Sequence, residues 1–231
     1  MRIALRWVLW TVAAALVVFV GLQLWYFAHI WWWRDHAPRE TAFMAQRLHE
    51  LRERNPQAQL QYVWVPYNRI SVNLKRAMIA AEDAKFVEHE GFDWDGIQLA
   101  MDKNARKGRV VAGGSTITQQ LAKNLFLSGE RSYLRKGEEA LITLMLEGLL
   151  DKRRIFELYL NVIEWGSGVF GCEAAAHRYF GISAAQLSGE QAARLAGMAP
   201  NPRHYEKNPG SRGLAQKIPI IQGRMPAAEL P

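Results

Sequence analysis

Apolar and polar positions alternate with different periods along the chain. From Trp7 to Trp33 no charged residue occurs. Wound as a helix, that run reaches about 40 Å, enough to cross a bilayer with some tilt. Trp7 and Trp10 stand at one end, and Trp25, Tyr26, Trp31, Trp32 and Trp33 crowd the other, where interfacial aromatics belong. Ala13-Ala14-Ala15 has the look of a cleavage site, yet Leu16 to Val20 continue just as apolar, so an uncleaved anchor is expected. Met44, Leu48 and Leu51 then recur at helical spacing within residues 39–54, and Asn55-Pro56 stops that short amphipathic helix. Leu60, Tyr62 and Trp64 alternate, which predicts one short strand ending at Pro66. No other stretch alternates, so no multi-stranded sheet is expected.

Helical spacing governs the rest. Ser71 is placed to cap a helix in which Leu74, Met78 and Glu82 share a stripe beside Ala77 and Ala81. Glu139, Ile142, Leu146 and Leu149 form a second such stripe in a helix through Leu150, and Ile155, Leu158, Tyr159 and Val162 a third. An alanine-rich helix closes at Gly181, and Ser188-x-x-Gln191 opens another that runs through Met198 to Pro200 and Pro202. Residues 104–111 read as a Lys/Arg-rich loop and Ser128-Gly129-Glu130 as a turn. Residues 209–231 read as an irregular tail, because Pro219, Gly223 and Pro226 interrupt them.

Composition narrows the partners. The 231 residues carry a formal charge of +7 and an isoelectric point near 9.7, which favours nucleic acid, lipid head groups or a phosphorylated substrate. No nucleic-acid module is recognisable, so no nucleic-acid partner is expected. The single cysteine, Cys172, excludes an internal disulfide and reads as a buried structural thiol. Arg2 and Arg6 favour a cytoplasmic start, although Arg34, Arg39 and Arg47 beyond the anchor dilute the asymmetry.

Two features carry candidate chemistry. Gly113-Gly114-Ser115-Thr116-Ile117-Thr118-Gln119-Gln120-Leu121-Ala122-Lys123-Asn124 joins paired glycines to a helix start, with Thr116 and Gln119 at capping-box spacing. Thr116, Gln119, Gln120 and Lys123 fall on one face that ends in a cation, and bare N–H groups at such a start attract phosphates. A well-capped helix with a solvated polar stripe explains the same pattern. The order of a P-loop is absent. The second feature is that Glu82 and Glu139 each prolong an apolar stripe. Desolvation there raises a carboxyl pKa and suits it to proton transfer, whereas turned outward each is an ordinary surface partner for a neighbouring Lys or Arg. Asp93-Trp94-Asp95 has the form of a nucleotide-sugar tripeptide, but the strands of a nucleotide-binding sheet are missing, and Asp93 reads as a cap.

The stretch from Gly113 to Asn124 resembles the second signature motif of the peptidoglycan glycosyltransferases, glycosyltransferase family 51. Glu82-Asp83-x-x-Phe86-x-x-His89-x-Gly91-x-Asp93 resembles the first, Arg135-Lys136-x-x-Glu139 the third, and the run through Glu157, Tyr159 and Asn161 the fourth. Together they cover roughly residues 62–205. The resemblance implies a mainly α, lysozyme-like helical domain behind one transmembrane helix. It also implies polymerisation of lipid II into β-1,4 glycan with release of undecaprenyl pyrophosphate. Glu82 is then the catalytic base. Ser115, Thr116, Gln119, Gln120, Lys123, Asn124, Arg135 and Lys136 are candidates to bind pyrophosphate or sugar. Glu139 orients the cations or helps hold a divalent ion, Mg or Mn, on the pyrophosphate; no metal ligand is otherwise assigned. Asp83, Phe86, His89, Gly91, Gly113, Gly114, Glu157, Tyr159 and Asn161 are expected to shape the site. Relatives usually continue with a helix where this tail carries its prolines, which puts any substrate contact from that helix in question.

The organisation expected is a cytoplasmic stub (1–6), an anchor (7–33), an amphipathic helix and linker (34–59), the glycosyltransferase domain (60–208) and the tail (209–231). Partners are lipid II, the growing lipid-linked chain, the bilayer and proteins of wall synthesis or division, with the catalytic domain on the periplasmic side of the inner membrane. A lysozyme-like enzyme that cleaves glycan and a non-catalytic scaffold of a wall-synthesis complex are the alternatives. No Ser-x-x-Lys or Lys-Thr-Gly points to a penicillin-binding domain.

Overall fold

The computed structural model describes residues 2–109, 113–127 and 132–231. In chain order its elements begin with α1 (Arg2–Trp33), α2 (Ala42–Arg52), β1 (Gln61–Tyr62), α3 (Val72–Glu82), α4 (Trp94–Lys107) and α5 (Ile117–Phe126). There follow α6 (Tyr133–Leu149), α7 (Lys152–Val162), β2 (Glu164–Gly166), β3 (Val169–Phe170) and α8 (Cys172–Phe180). The chain ends with α9 (Gly189–Met198), α10 (Pro202–Lys207) and α11 (Arg212–Arg224). The fold is helical, with α2, α6 and α7 packed around α5, and α3, α9 and α11 packed on one another.

α5 is the axis because almost all of it is buried: Ile117, Leu121, Ala122, Leu125 and Phe126 face the core, and α2, α6 and α7 pack around it. α3 lies against α9, and α9 against α11. The caps do what their residue types dictate. Ser71, Asp93 and Ser188 accept bonds from the first turns of α3, α4 and α9, and Gly181 ends α8 in the left-handed conformation at φ +69°. Cys172 is fully buried, and burial pushes its thiol up to about 12.

α2 forms within residues 39–54 and packs on α5, with Met44 buried. Several elements differ from the pattern-based expectation. A small three-stranded sheet exists, in the order β1-β3-β2, with β1 parallel and β2 antiparallel to β3. Strands of two or three residues are too short for alternation to register. Residues 104–107 are helical, not loop, since Lys and Arg are good helix formers and their charge suits the C-terminal end of α4, which Gly108 closes at φ +59°. The rest of that segment at 110–112 and the turn at Ser128-Gly129-Glu130 lie outside the described residues.

The largest correction concerns the tail. Residues 212–224 are helix α11, with Pro219 inside it. An interior proline costs a helix about 3 kcal/mol, but Leu214 and Ile221 on one face are buried, each worth about 1.5–3 kcal/mol, with Ile218 partly buried beside them, where α11 packs on α9. Gly197 on α9 permits the approach: a Cβ there would meet Leu214 at 2.9 Å and Ile221 at 3.7 Å. Burial outweighs the proline.

Candidate active site

Glu82 is the last residue of α3, and at Asp83 the backbone leaves the helix (φ −162°, ψ 78°), so the two adjacent carboxylates part company. Asp83 turns inward. It accepts the Ile117 N–H at 2.9 Å and the His89 Nε2 at 3.0 Å, which places a buried anion on the N-terminal end of α5. Close by, the Thr116 hydroxyl donates to the Gly91 carbonyl at 2.7 Å. Gly91 has φ +86°, and a Cβ on it would stand 2.7 Å from the Thr143 methyl of α6. The segment after α3 is thus stapled to the start of α5 at both its ends, with Phe86 fully buried against Phe156 between them.

The start of α5 is consequently not an open anion site. Thr116 and Gln119 form a complete capping box, with Thr116 N–H donating to Gln119 Oε1 at 3.0 Å and Gln119 N–H to Thr116 Oγ1 at 3.2 Å. Both side chains are buried. Their polar atoms serve the fold, and the anion that the helix start attracts is the protein's own Asp83. Ser115 and Gly113 are exposed; Gly114, Ser115, Gln119 and Lys136 border a separate depression of about 240 Å³ beneath α4.

One turn further along α5 the side chains do meet a cleft. Gln120, Lys123 and Asn124, with Arg135 and Tyr159, line one end of a cavity of about 660 Å³. Gln120 donates through Nε2 to Glu82 Oε2 at 2.8 Å, and its Oε1 accepts the Tyr159 hydroxyl at 3.1 Å. The tyrosine therefore fixes which way the amide faces. Burial raises the Glu82 carboxyl above the ordinary carboxylate range; the Gln120 bond, Lys217, then Lys123 pull it partly back. Glu82 keeps a partly exposed surface while its carboxyl is tightly surrounded. Burial lowers Lys123, and Glu139 and Glu82 partly restore it.

Glu139 is buried and engaged by Arg135 at 3.0 Å and by Lys136. Lys123 is close enough to feel its charge. Of the two roles expected of Glu139, orienting the cations is the one its surroundings suit. A divalent ion there would face three cations, so Glu139 does not fit as a metal ligand. From α7, Asn161 pairs with both the N–H and the carbonyl of Val65 at 2.9 Å, and Glu157 accepts the Tyr67 N–H at 2.7 Å. These bonds hold the chain that leads into α3.

The family's transglycosylase sequence model matches residues 47–225, most of the chain. The chain belongs to the transglycosylase family. It is 62% identical over 231 residues to the biosynthetic peptidoglycan transglycosylase of Dechloromonas aromatica, all of both chains being covered. Over the same full length it is 58% identical to the proteins of that name from Janthinobacterium sp. (strain Marseille) and Herminiimonas arsenicoxydans. The matched region takes in α11, whose helicity the prolines concealed.

Pattern reading missed Lys217, which reaches the neighbourhood of Glu82 from α11. The Leu214-Ile218-Ile221 stripe was the available signal, and Pro219 obscured it. It also missed the far end of the cleft, where Arg47 and Glu164, both buried, pair at 2.8 Å. Burial pushes Glu164 up, and Arg47 draws it partly back. Nothing local in sequence joins residues 117 positions apart.

Proposed function

We propose that this protein polymerises lipid II into β-1,4-linked glycan with release of undecaprenyl pyrophosphate, in a single displacement. The observation that carries the reading is that Glu82 is bonded to Gln120, which lines one cleft together with Tyr159, Lys123 and Arg135. Glu82 takes the proton of the acceptor hydroxyl as its oxygen bonds to the anomeric carbon of the donor chain. The bond from that carbon to the diphosphate oxygen breaks, and the electron pair leaves with the diphosphate. A raised carboxyl pKa brings a base closer to the operating pH and makes it more effective. Lys123, Arg135 and Lys136, aligned by Glu139, stabilise the charge that accumulates on the leaving group. The Gln120 hydrogen bond, then Lys217 and Lys123, offset part of the rise that burial imposes on the Glu82 pKa.

The long N-terminal helix supports a single-pass anchor in the bacterial inner membrane, with the catalytic domain on the periplasmic side and both lipid-linked substrates in reach. Purified protein given lipid II is expected to form glycan and free undecaprenyl pyrophosphate. Release of soluble fragments from cell-wall sacculi, with no glycan made from lipid II, would instead establish a muralytic enzyme.

A further inference from the structure

On the face of α5 turned away from Gln120, one carboxylate ties three helices together. Thr118 and Gln120 are two residues apart, which at 3.6 residues per turn sets them about 200° apart around the helix. Gln120 lines the cleft, while Thr118 is fully buried and donates its hydroxyl to Glu147 Oε1 of α6 at 2.6 Å. The same oxygen accepts Lys152 Nζ at 2.8 Å. Lys152 is the first residue of α7, where a cation opposes the helix dipole, so its place there depends on Glu147. Lys152 Nζ also stands 4.7 Å over the Phe86 ring, and a Cβ on Gly91 would come within 3.1 Å of Glu147 Cγ. The segment that follows Glu82 therefore packs on the same ion pair, whose side chains are only 10% and 21% exposed.

The two helices joined at Glu147 are the two that hold the Gln120 amide. α5 carries Gln120 itself. α7 carries Tyr159, whose hydroxyl donates to Gln120 Oε1 at 3.1 Å and leaves Nε2 to donate to Glu82 at 2.8 Å. α6, which supplies Glu147, also carries Arg135 and Glu139, and α5 carries Lys123. A slip of α5 at Thr118 would move Gln120 against Glu82 and Lys123 against Arg135 together.

We propose that Thr118 and Glu147 are positioning residues for the reaction: their hydrogen bond, backed by Lys152, sets the rotation of α5 that brings Gln120 to Glu82 and Lys123 to the other cations. The inference rests on the polymerase reading above. Displacing a charge-stabilising group by about 1 Å costs up to about a hundredfold in rate. A carboxylate that loses a donor is also held less firmly in its ionised form, so a slackened Gln120 bond raises the pH at which Glu82 becomes a base.

The test is full-length protein turning over lipid II, with kcat, KM and the kcat–pH profile measured. Thr118→Val keeps the side-chain shape and removes the hydroxyl. It is expected to lower kcat by about fivefold or more, with KM changed less than about twofold, and to move the acid limb of the profile up by about half a pH unit or more. Thr118→Ser, which returns the hydroxyl, is expected to recover most of the rate and the wild-type limb. Glu147→Gln keeps an oxygen acceptor but gives up the charge, and is expected to move the limb in the same direction by less. Wild-type kcat in Thr118→Val, or a lower kcat with the acid limb unmoved, overturns the inference and leaves the polymerase reading standing. Should Thr118→Val fail to fold, the limb in Glu147→Gln decides in the same way. Wild-type protein inert towards lipid II overturns both.

Discussion

Glu82 and Asp83 are neighbours in sequence and opposites in use. One ends a helix with its carboxyl bonded to Gln120, which lines the cleft; the other is spent on the N-terminal end of α5. Because burial raises the Glu82 pKa, the folded protein holds that proton to a higher pH than the unfolded chain does. Between the ordinary carboxylate range and the raised value the folded state binds more protons, so its stability falls as pH rises through that window. Polymerisation runs the other way, since the base works only when ionised. Wild-type activity is therefore expected to climb with pH across the raised pKa, while Glu82→Gln is expected to melt at or above the wild-type temperature on the alkaline side. Parallel melts and pH–rate profiles check both signs. Gly91 allows a second prediction. A side chain there meets Thr143 at 2.7 Å in a left-handed conformation that itself costs an L-residue about 1–2 kcal/mol, so Gly91→Ala is expected to lose at least that in denaturant melts. The composition of the carboxylate pair was readable in sequence. Their divergence was not, because it depends on one backbone turn that no periodicity announces.

Among the elements, those with an intact stripe and a cap were legible, and those resting on contacts from afar were not. The capping boxes at Thr116 and Ser188 and the left-handed Gly181 are local chemistry and formed where spacing placed them. The α11 helix is the counterexample. Pro219, Gly223 and Pro226 made the segment read as irregular, and the burial of its Leu214 and Ile221 face on α9 outweighed the interior proline in the fold. Pro219 is exposed and contributes no backbone N–H to the helix. Pro219→Ala is thus expected to stabilise the protein by up to about 3 kcal/mol, seen as a raised thermal midpoint. The α2 helix depends on a tertiary pair in the same manner. Removing Arg47 leaves Glu164 buried without its ion-pair partner, and Arg47→Ala is expected to cost about 3–5 kcal/mol in chemical denaturation.

At the scale of the whole molecule, a helical body on one long apolar helix was evident from hydrophobic period alone, and the resemblance of four motifs supplied the lysozyme-like arrangement. What pattern could not supply was adjacency. Lys217 arrives from α11, Tyr159 from α7 and Lys123 from α5, and only the packed structure brings them around one carboxyl. The face of α5 nominated for substrate divides in two, Thr116 and Gln119 closing the helix start and Gln120 and Lys123 facing the cleft. The account then stands on one acid acting as the base opposite a set of cations. Its most direct test is the initial rate of glycan formation from purified lipid II by Glu82→Gln, in a preparation whose melting matches or exceeds that of wild type. A rate lower by about a hundred- to ten-thousand-fold is predicted. Glycan synthesis at the wild-type rate by that folded variant would contradict it.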